Sequence, residues 1–205
     1  GEALFSWVGE YLWGVATEQP VWRDAGIYGF TTEEKSIEQY WFNYDRDNWL
    51  PDYSHGTVGQ VYGAANAFIT FFNGSPVYVY GIHWLPPAEW MTYYARNPDN
   101  AADLYQSYLR DSGGDARDWS NIVWTFQALT DPAAVLGNFD ASKLSDGEAS
   151  NVYWFTNAIA SLGHRSDDIW SVNWPSATVY KGAKGYTAQV WNPTDVKQTV
   201  QFSNG

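Results

Sequence analysis

The sequence contains no cysteine, and this absence removes several classes of protein from consideration. Without thiols the chain cannot form disulfides, hold an iron–sulfur cluster, bind zinc through cysteine or use a cysteine nucleophile. The three histidines, His55, His83 and His164, are too scattered to match a recognised metal-binding motif. The sequence also lacks a phosphate-binding glycine loop and the GxSxG motif of serine hydrolases.

Basic residues are scarce as well. The 205 residues include 11 lysines and arginines against 23 aspartates and glutamates, which gives a net charge of −12 with neutral histidine. This balance argues against nucleic acid and against anionic membrane surfaces as partners. No apolar run approaches the roughly 18–20 residues of a membrane span. The opening residues do not form a signal peptide, because no basic region precedes them and Glu2 and Glu10 interrupt the apolar stretch.

Aromatic residues are unusually frequent. The chain has 13 Trp, 15 Tyr and 10 Phe, which together make up 19% of its residues. Some of these rings are needed for a core, but a surplus usually coats a surface that stacks on flat apolar partners. For an acidic protein rich in tryptophan, sugar rings are the commonest partner of this kind.

The hydrophobic pattern predicts a mainly α-helical fold with a short C-terminal antiparallel β segment. Apolar residues recur at helical spacing from Ala3 to Val15, and a second helix is expected from Pro20 to about Phe42. Further helices are expected at 59–72, 87–96, 99–110, 118–130 and 148–163, and strands at 177–181, 185–192 and 198–203. Residues 43–58 and 75–87 are expected to be long loops, and loops of this length are usually functional.

The two loops and a few carboxylates carry the candidate chemistry. Glycoside hydrolysis needs two carboxyl groups that flank the scissile bond, and the carboxylates with suitable surroundings are Glu2, Asp45, Asp47, Asp52 and Glu89. Each of these is more often a solvated surface group than a catalyst. The stretch 40–62 combines rings for the apolar faces of sugars with polar groups for hydroxyls, although a loop held by aromatic packing explains it equally well. If 81–86 is extended, His83 and Trp84 point in opposite directions, one to a cleft and one to the core.

An ordered set of short motifs resembles glycoside hydrolase family 81, the endo-β-1,3-glucanases or laminarinases. The matching residues are Glu2-Ala3, Trp7, Tyr11-Leu12-Trp13-Gly14, Tyr40-Trp41-Phe42, Ser54-His55-Gly56, Gly81-Ile82-His83-Trp84-Leu85-Pro86, Tyr153-Trp154 and Leu162-Gly163. The closing residues 174–205 also look like the C-terminal β segment of that family. The resemblance implies hydrolysis of β-1,3-glucan with inversion, no metal or organic cofactor, and a secreted or extracellular location.

The resemblance also implies how the chain is organised. Residues 1–165 resemble the last part of an (α/α)6 toroid, and residues 166–205 resemble a β segment that packs on or completes another domain. The family motif E-x-S-S/T-S-E-A ends at Glu2-Ala3, so its first glutamate, the general base, and the aspartate acid would lie upstream in a missing N-terminal part of the same enzyme. We therefore expect the isolated chain to be weak or inactive, and to expose a large apolar surface.

By this resemblance Glu2 is the catalytic-site carboxylate carried by the chain. The expected substrate-binding residues for laminarin-type oligosaccharides or polysaccharide are Tyr44, Trp49, Tyr53, His55, Tyr62, His83 and Trp84. Two other interpretations remain open. The chain could be a non-catalytic β-glucan-binding module that uses the same aromatic cleft, or a helical structural domain whose aromatic residues all belong to the core.

Overall fold

The computed structural model describes residues 1–62, 65–114 and 118–204, and for Tyr62 and Ala65 it describes the backbone alone. The α-helices within these ranges are α1 (Glu2–Ala16), α2 (Pro20–Ser36), α3 (Pro76–Trp84), α4 (Pro98–Ser112), α5 (Ser120–Ala128), α6 (Pro132–Asn138) and α7 (Asp146–Leu162). A π-helical turn, Ile37–Trp41, continues α2, and two 3-10 helices span Glu89–Arg96 and Ala141–Lys143. The predicted mainly helical fold is confirmed.

The strands are short and antiparallel. They are β1 (Gln60–Tyr62), β2 (Ala65–Ala67), β3 (His164–Arg165), β4 (Trp170–Ser171), β5 (Ala177–Gly182), β6 (Gly185–Val190) and β7 (Phe202–Ser203). Strands β3, β5 and β6 form one sheet in that order, while β7 pairs with β4. The predicted C-terminal β segment is therefore present, but its last strand does not extend the β5–β6 hairpin. The division into domains at residue 165 stays a prediction.

Two segment predictions are wrong. Residues 59–72 do not form a buried helix; β1 and β2 form a hairpin in which Gln60 pairs with Ala67, with residues 63 and 64 outside the described part. Residues 75–87 are largely helix α3 instead of a loop. Pro76 occupies the first turn of α3, a position that suits its fixed φ and missing N–H. The helix ends at Trp84 because Leu85 precedes a proline, which disfavours the helical conformation.

The main core is aromatic and lies between α3, α4, α5, α7 and the 3-10 helix at Glu89–Arg96. At its centre the Trp84 ring stacks on Phe126 with centroids 4.0 Å apart and planes 7° apart. Tyr80 and Tyr108 pack edge-on against each other beside this pair. Such ring pairs add stability beyond that of the area they bury. The core therefore contains a large share of the chain's many aromatic residues.

Other large apolar side chains are exposed, as the sequence led us to expect. On the α1–α2 hairpin the exposed ones are Phe5, Leu12, Trp13, Val21, Trp22 and Tyr28. Trp13 is 60% exposed, Phe71 before α3 is 88% exposed, and Trp154 on α7 is 63% exposed. These values contradict the interpretation in which all aromatic residues belong to the core.

Helices α1 and α2 approach each other closely at a buried glycine. A Cβ atom on Gly26 would lie 2.5 Å from the backbone nitrogen of Tyr11 and 2.8 Å from the carbonyl oxygen of Trp7. Backbone atoms cannot move aside as a flexible side chain can, so the hairpin depends on the absence of a side chain here. Gly9 on α1, by contrast, has open space around its Cα.

This contrast gives a matched pair of substitutions. We expect Gly26→Ala to lower the free energy of unfolding by about 1–3 kcal/mol, because the two helices must separate. Gly9→Ala should raise it by about 0.5–1 kcal/mol, because alanine is the better helix former and meets no neighbour. Urea denaturation of the two variants and the parent measures both effects. Equal effects of the two substitutions would show that the close approach at Gly26 does not matter.

Candidate functional site: an aromatic and polar cleft

The irregular segment from Phe42 to Gly59, here called the cleft loop, connects the π-helical turn to β1, as expected for residues 43–58. Its two ends are held by backbone hydrogen bonds. The amide of Val58 donates to the carbonyl of Trp41 over 3.1 Å, and the amide of Gly59 donates to Ala67 over 2.9 Å. The loop therefore returns to the place where it began, which fixes its base while its middle projects outward.

A cleft of about 360 Å³ lies between the cleft loop and helix α4. The loop approaches α4 most closely at Gly56, where an added Cβ would lie 2.4 Å from the Cβ of Ser107. The lining residues combine rings, amides, a hydroxyl and charges; they are Phe42, Asn43, Tyr44, Arg46, Trp49, Leu50, Pro51, Tyr53, His55, Gly56, Asn100, Asp103, Leu104 and Ser107. Four of the expected substrate-binding residues, Tyr44, Trp49, Tyr53 and His55, thus share one cleft.

Hydrogen bonds orient the rings on the loop side of the cleft. The indole N–H of Trp49 donates to the carbonyl of Tyr40 over 3.0 Å, and the Tyr53 hydroxyl donates to the carbonyl of Thr57 over 2.8 Å. The two rings meet edge to face with centroids 5.0 Å apart. Burial raises the pKa of Tyr53, and nearby Asp111 adds to this shift. Both side chains are preorganised for contact with a flat ligand.

His55 is held by a polar network at the inner end of the cleft. Its Nδ1 lies 3.1 Å from a carboxylate oxygen of Asp111, and the Tyr80 hydroxyl donates to the same oxygen over 2.7 Å. The amide of Gly56 donates to the Tyr80 oxygen over 3.0 Å. The imidazole stacks on Phe68 with centroids 3.8 Å apart. Burial and the hydrogen bond to Asp111 raise the pKa of Tyr80.

Sequence reasoning missed Asp111 and Tyr80. Asp111 lies 56 positions beyond His55 on α4, and no local pattern links the two residues. Tyr80 lies in the segment that was expected to be a loop, where no inward face could be assigned. The one signal in the sequence was that the α4 segment carries several aspartates while the cleft loop carries a histidine.

His83 supports the cleft loop from behind and is not among the lining residues. Its Nε2 donates to the carbonyl of Val58 over 2.8 Å, and its ring packs against Trp41 and Phe42. Burial lowers the pKa of His83 to about 4. A neutral imidazole is therefore part of the hydrogen bonding that fixes the loop, and the expected contact of His83 with substrate does not fit its place behind the loop.

Trp84 does not line the cleft either, and its expected role is corrected. Only 2% of its surface is exposed, and its ring is stacked within the core. The expectation assumed an extended backbone at 81–86, but residues 81–84 form the last turn of helix α3. The side chain of Tyr62 lies outside the described residues.

Glu2 opens helix α1 as expected, and its side chain is exposed. The preceding Gly1 packs on the backbone of Leu85, just after α3, so that an added Cβ would overlap the Leu85 carbonyl. Glu2 is not a lining residue of the cleft. Of the other candidate carboxylates, Asp45 accepts a hydrogen bond from Gln39 and Asp47 accepts one from Asn48, both at the exposed surface.

Two negative findings apply to the described part of the chain. It contains no group of three or more histidine, aspartate or glutamate side chains arranged to hold a metal ion. None of its helices is long and apolar enough to cross a membrane.

The cleft thus combines oriented rings with dispersed polar groups, on a mainly helical fold. The sequence model for the "Glycosyl hydrolase family 81 C-terminal domain" matches residues 1–155. The chain belongs to glycoside hydrolase family 81.

Individual relatives agree with this assignment. The chain is 31% identical over 188 residues to a glucan endo-1,3-beta-D-glucosidase of Thermobifida fusca, a match that covers 89% of this chain and 25% of the relative. It is 31% identical over 208 residues to an enzyme of the same name from Acetivibrio thermocellus, covering 100% of this chain and 27% of the relative. The chain therefore spans about a quarter of the length of these relatives.

The fold agrees with a solved structure as well. A mutant of a family 81 glycoside hydrolase from Clostridium thermocellum superposes with a TM-score of 0.91 at 29% identity. The match covers 100% of this chain and 29% of that one.

The neutral, half-buried His83 predicts a pH dependence of stability. Its pKa is about 4 in the folded chain and 6.5 in the unfolded chain, so below pH 6.5 the unfolded chain binds more protons. The free energy of unfolding should then fall by about 1.4 kcal/mol per pH unit from pH 6.5 towards pH 4 through this group. His83→Gln keeps a donor for Val58 and removes the titration.

Urea titrations of the parent and of His83→Gln measure this contribution. Between pH 7 and pH 5 the parent should lose about 2 kcal/mol more than the variant. Carboxylates titrate in both proteins and cancel in the difference. Parallel losses in the two proteins would show that His83 is not held neutral.

Proposed function

We propose that this chain is part of an endo-β-1,3-glucanase and that the cleft between the cleft loop and α4 binds β-1,3-glucan. The observation that carries this proposal is the convergence of Tyr44, Trp49, Tyr53 and His55 on one cleft. The relatives named above, which are glucan endo-1,3-beta-D-glucosidases, support the choice of glucan.

The cleft suits a glucan chain for physical reasons. The oriented rings of Trp49 and Tyr53 offer apolar surface to the faces of glucose units, and Asn100 and Ser107 on the opposite wall offer donors and acceptors to hydroxyls.

Hydrolysis itself needs a carboxylic acid and a carboxylate. In an inverting enzyme these lie roughly 6.5–9.5 Å apart, so that a water molecule fits between the base and the sugar. We propose that Glu2, in the first turn of α1, is a carboxylate of this catalytic region. The acid and the general base come from the upstream part of the enzyme. In this proposal residues 1–165 belong to an (α/α)6 toroid and the enzyme acts outside the cell.

A second candidate function is binding of β-glucan without hydrolysis. Among the described residues that line the cleft, Asp103 is the only carboxylate, and Arg46 lies 4.0 Å from it. The cleft thus lacks a pair of carboxyl groups, which favours a binding role for this region of the chain. The two functions are separated by assays of hydrolysis and binding.

Binding is tested on the 205-residue chain with β-1,3-linked glucose hexamers in isothermal titration calorimetry. We expect Trp49→Ala to weaken binding about tenfold or more, because stacking surface is lost in the cleft. Trp154→Ala on α7 removes an equally large ring that is 63% exposed outside the cleft, and it should bind as the parent does. The β-1,4-linked hexamer serves as the linkage control. Equal losses in both variants, or no binding by the parent, would overturn the proposed cleft.

Glu2 is tested in a chain extended to the full length of family members. Glu2→Gln keeps the shape and removes the charge, so we expect laminarin hydrolysis to fall at least tenfold while the melting temperature is retained. Glu10→Gln, two turns further along α1, is the matched control and should retain the parent rate. Hydrolysis by Glu2→Gln at the parent rate would show that Glu2 has no catalytic role.

A further inference from the structure

The contact between His55 and Asp111 constrains the proton on the imidazole. An ionised carboxylate only accepts hydrogen bonds, and the Asp111 oxygen that lies 3.1 Å from Nδ1 of His55 also accepts from Tyr80. Nδ1 must therefore carry the hydrogen. In the neutral ring Nε2 is then left with a lone pair, so it acts as an acceptor.

The other ring nitrogen is free to meet a ligand. The structure gives Nε2 of His55 no hydrogen-bond partner within residues 1–62, 65–114 and 118–204, while the His55 side chain keeps 34% of its surface exposed. Asp111 behind it is only 14% exposed. The carboxylate is thus enclosed and the imidazole is presented at the lining of the cleft.

The ring is also fixed in orientation. Phe68 covers one face of the imidazole at 3.8 Å with planes 9° apart, and Tyr53 approaches edge-on at 5.5 Å. Tyr80 holds the carboxylate from a second side and is itself tied to the cleft loop through Gly56. A side chain restrained on this many sides is preorganised, and binding costs little side-chain entropy.

We propose that Asp111 is a positioning residue that holds His55 with its hydrogen on Nδ1, so that Nε2 accepts a hydrogen bond from a sugar hydroxyl in the cleft. This inference rests on the proposed function, since it names how one side chain of the same cleft contacts glucan. It assigns Asp111 no contact with the substrate.

An acceptor at this place complements the remaining polar groups. Arg46 offers only donors, and the amide of Asn100 can donate or accept. The hydroxyl of Ser107 donates its hydrogen to the carbonyl of Asp103 and can only accept from a ligand. A sugar hydroxyl that donates to Nε2 can still accept from Arg46 or Asn100. A carboxylate that sets the tautomer of a histidine in this way is well known from hydrolytic triads, where an amide in its place imposes the wrong tautomer.

The tautomer is measured without any glucan by long-range 1H–15N NMR of the chain labelled on its histidines, at a pH where the rings are neutral. The chain has three histidines, so the signals are few. We expect hydrogen on Nδ1 of His55 and on Nε2 of His83, which donates to Val58. In Asp111→Asn we expect the amide to turn its N–H toward Nδ1 and its oxygen toward the Tyr80 hydroxyl, so that His55 moves its hydrogen to Nε2, while His83 stays unchanged and reports an intact fold.

Binding of the β-1,3-linked hexamer is then compared between variants. Asp111→Asn should bind about tenfold more weakly, because Nε2–H can no longer accept. Tyr80→Phe removes the other donor to Asp111 and the acceptor for the Gly56 amide but leaves the contact with His55, so it should keep the parent tautomer and lose less affinity than Asp111→Asn. If it loses as much as Asp111→Asn with an unchanged tautomer, loop packing and not the tautomer sets affinity, and the proposal is wrong.

The outcomes separate this inference from the proposed function. Hydrogen on Nε2 of His55 in the parent overturns the role of Asp111 even if the hexamer binds. A changed tautomer in Asp111→Asn with unchanged affinity shows that Nε2 accepts nothing from the glucan, and also overturns it. A parent chain with the expected tautomer that binds no β-1,3-glucan defeats the proposed function, and the contact with a sugar hydroxyl falls with it.

Discussion

The shape of the cleft depends on two hydrogen bonds between helix α3 and the cleft loop. Near its middle, Tyr80 accepts a hydrogen bond from the amide of Gly56; in its last turn, His83 donates to the carbonyl of Val58. Both partners on the loop are backbone groups, so these two side chains fix the path of the loop backbone itself. A buried backbone group that loses its partner costs about 1–3 kcal/mol, which makes displacement of the loop from α3 expensive. The orientation of the rings on the loop follows from this attachment.

The start of the loop is fixed by a second, ionic contact. Arg96, at the end of the 3-10 helix, lies 2.5 Å from Glu34 and 2.8 Å from Glu38 at the end of α2 and in the π-helical turn. Glu34 is only 5% exposed, and burial raises its pKa while Arg96 opposes the shift. A buried pair of this kind is weak evidence for stability, but removal of one partner leaves an uncompensated charge. The contact therefore ties the end of α2 and the π-helical turn to the 3-10 helix.

The helices with regular apolar spacing could be predicted from the sequence, and so could the irregular loop and the antiparallel C-terminal strands. The sequence did not allow us to predict that residues 59–72 contain a hairpin and that residues 75–87 are largely helix. Small residues around Ala65 suit a packed helix as well as a tight hairpin, and short apolar runs do not distinguish the two. The error at α3 also misplaced Trp84, because orientation follows from secondary structure. For the site, local composition identified the loop residues, whereas Asp111 becomes a neighbour of His55 only through the packing of α4.

Helix α3 also connects the two parts of the proposed chemistry. Its C-terminal end holds the cleft loop through His83, and Leu85, directly after it, packs against Gly1, the residue before Glu2. The end of α3 and Leu85 therefore help to position both the candidate carboxylate and the candidate binding loop, although Glu2 does not line the cleft. A change in α3 would shift binding and catalytic geometry together, whereas a change at Trp49 would alter binding alone. Burial favours the neutral form of His83, and the Nε2–H that donates to Val58 is present in that form, so the connection needs no charge.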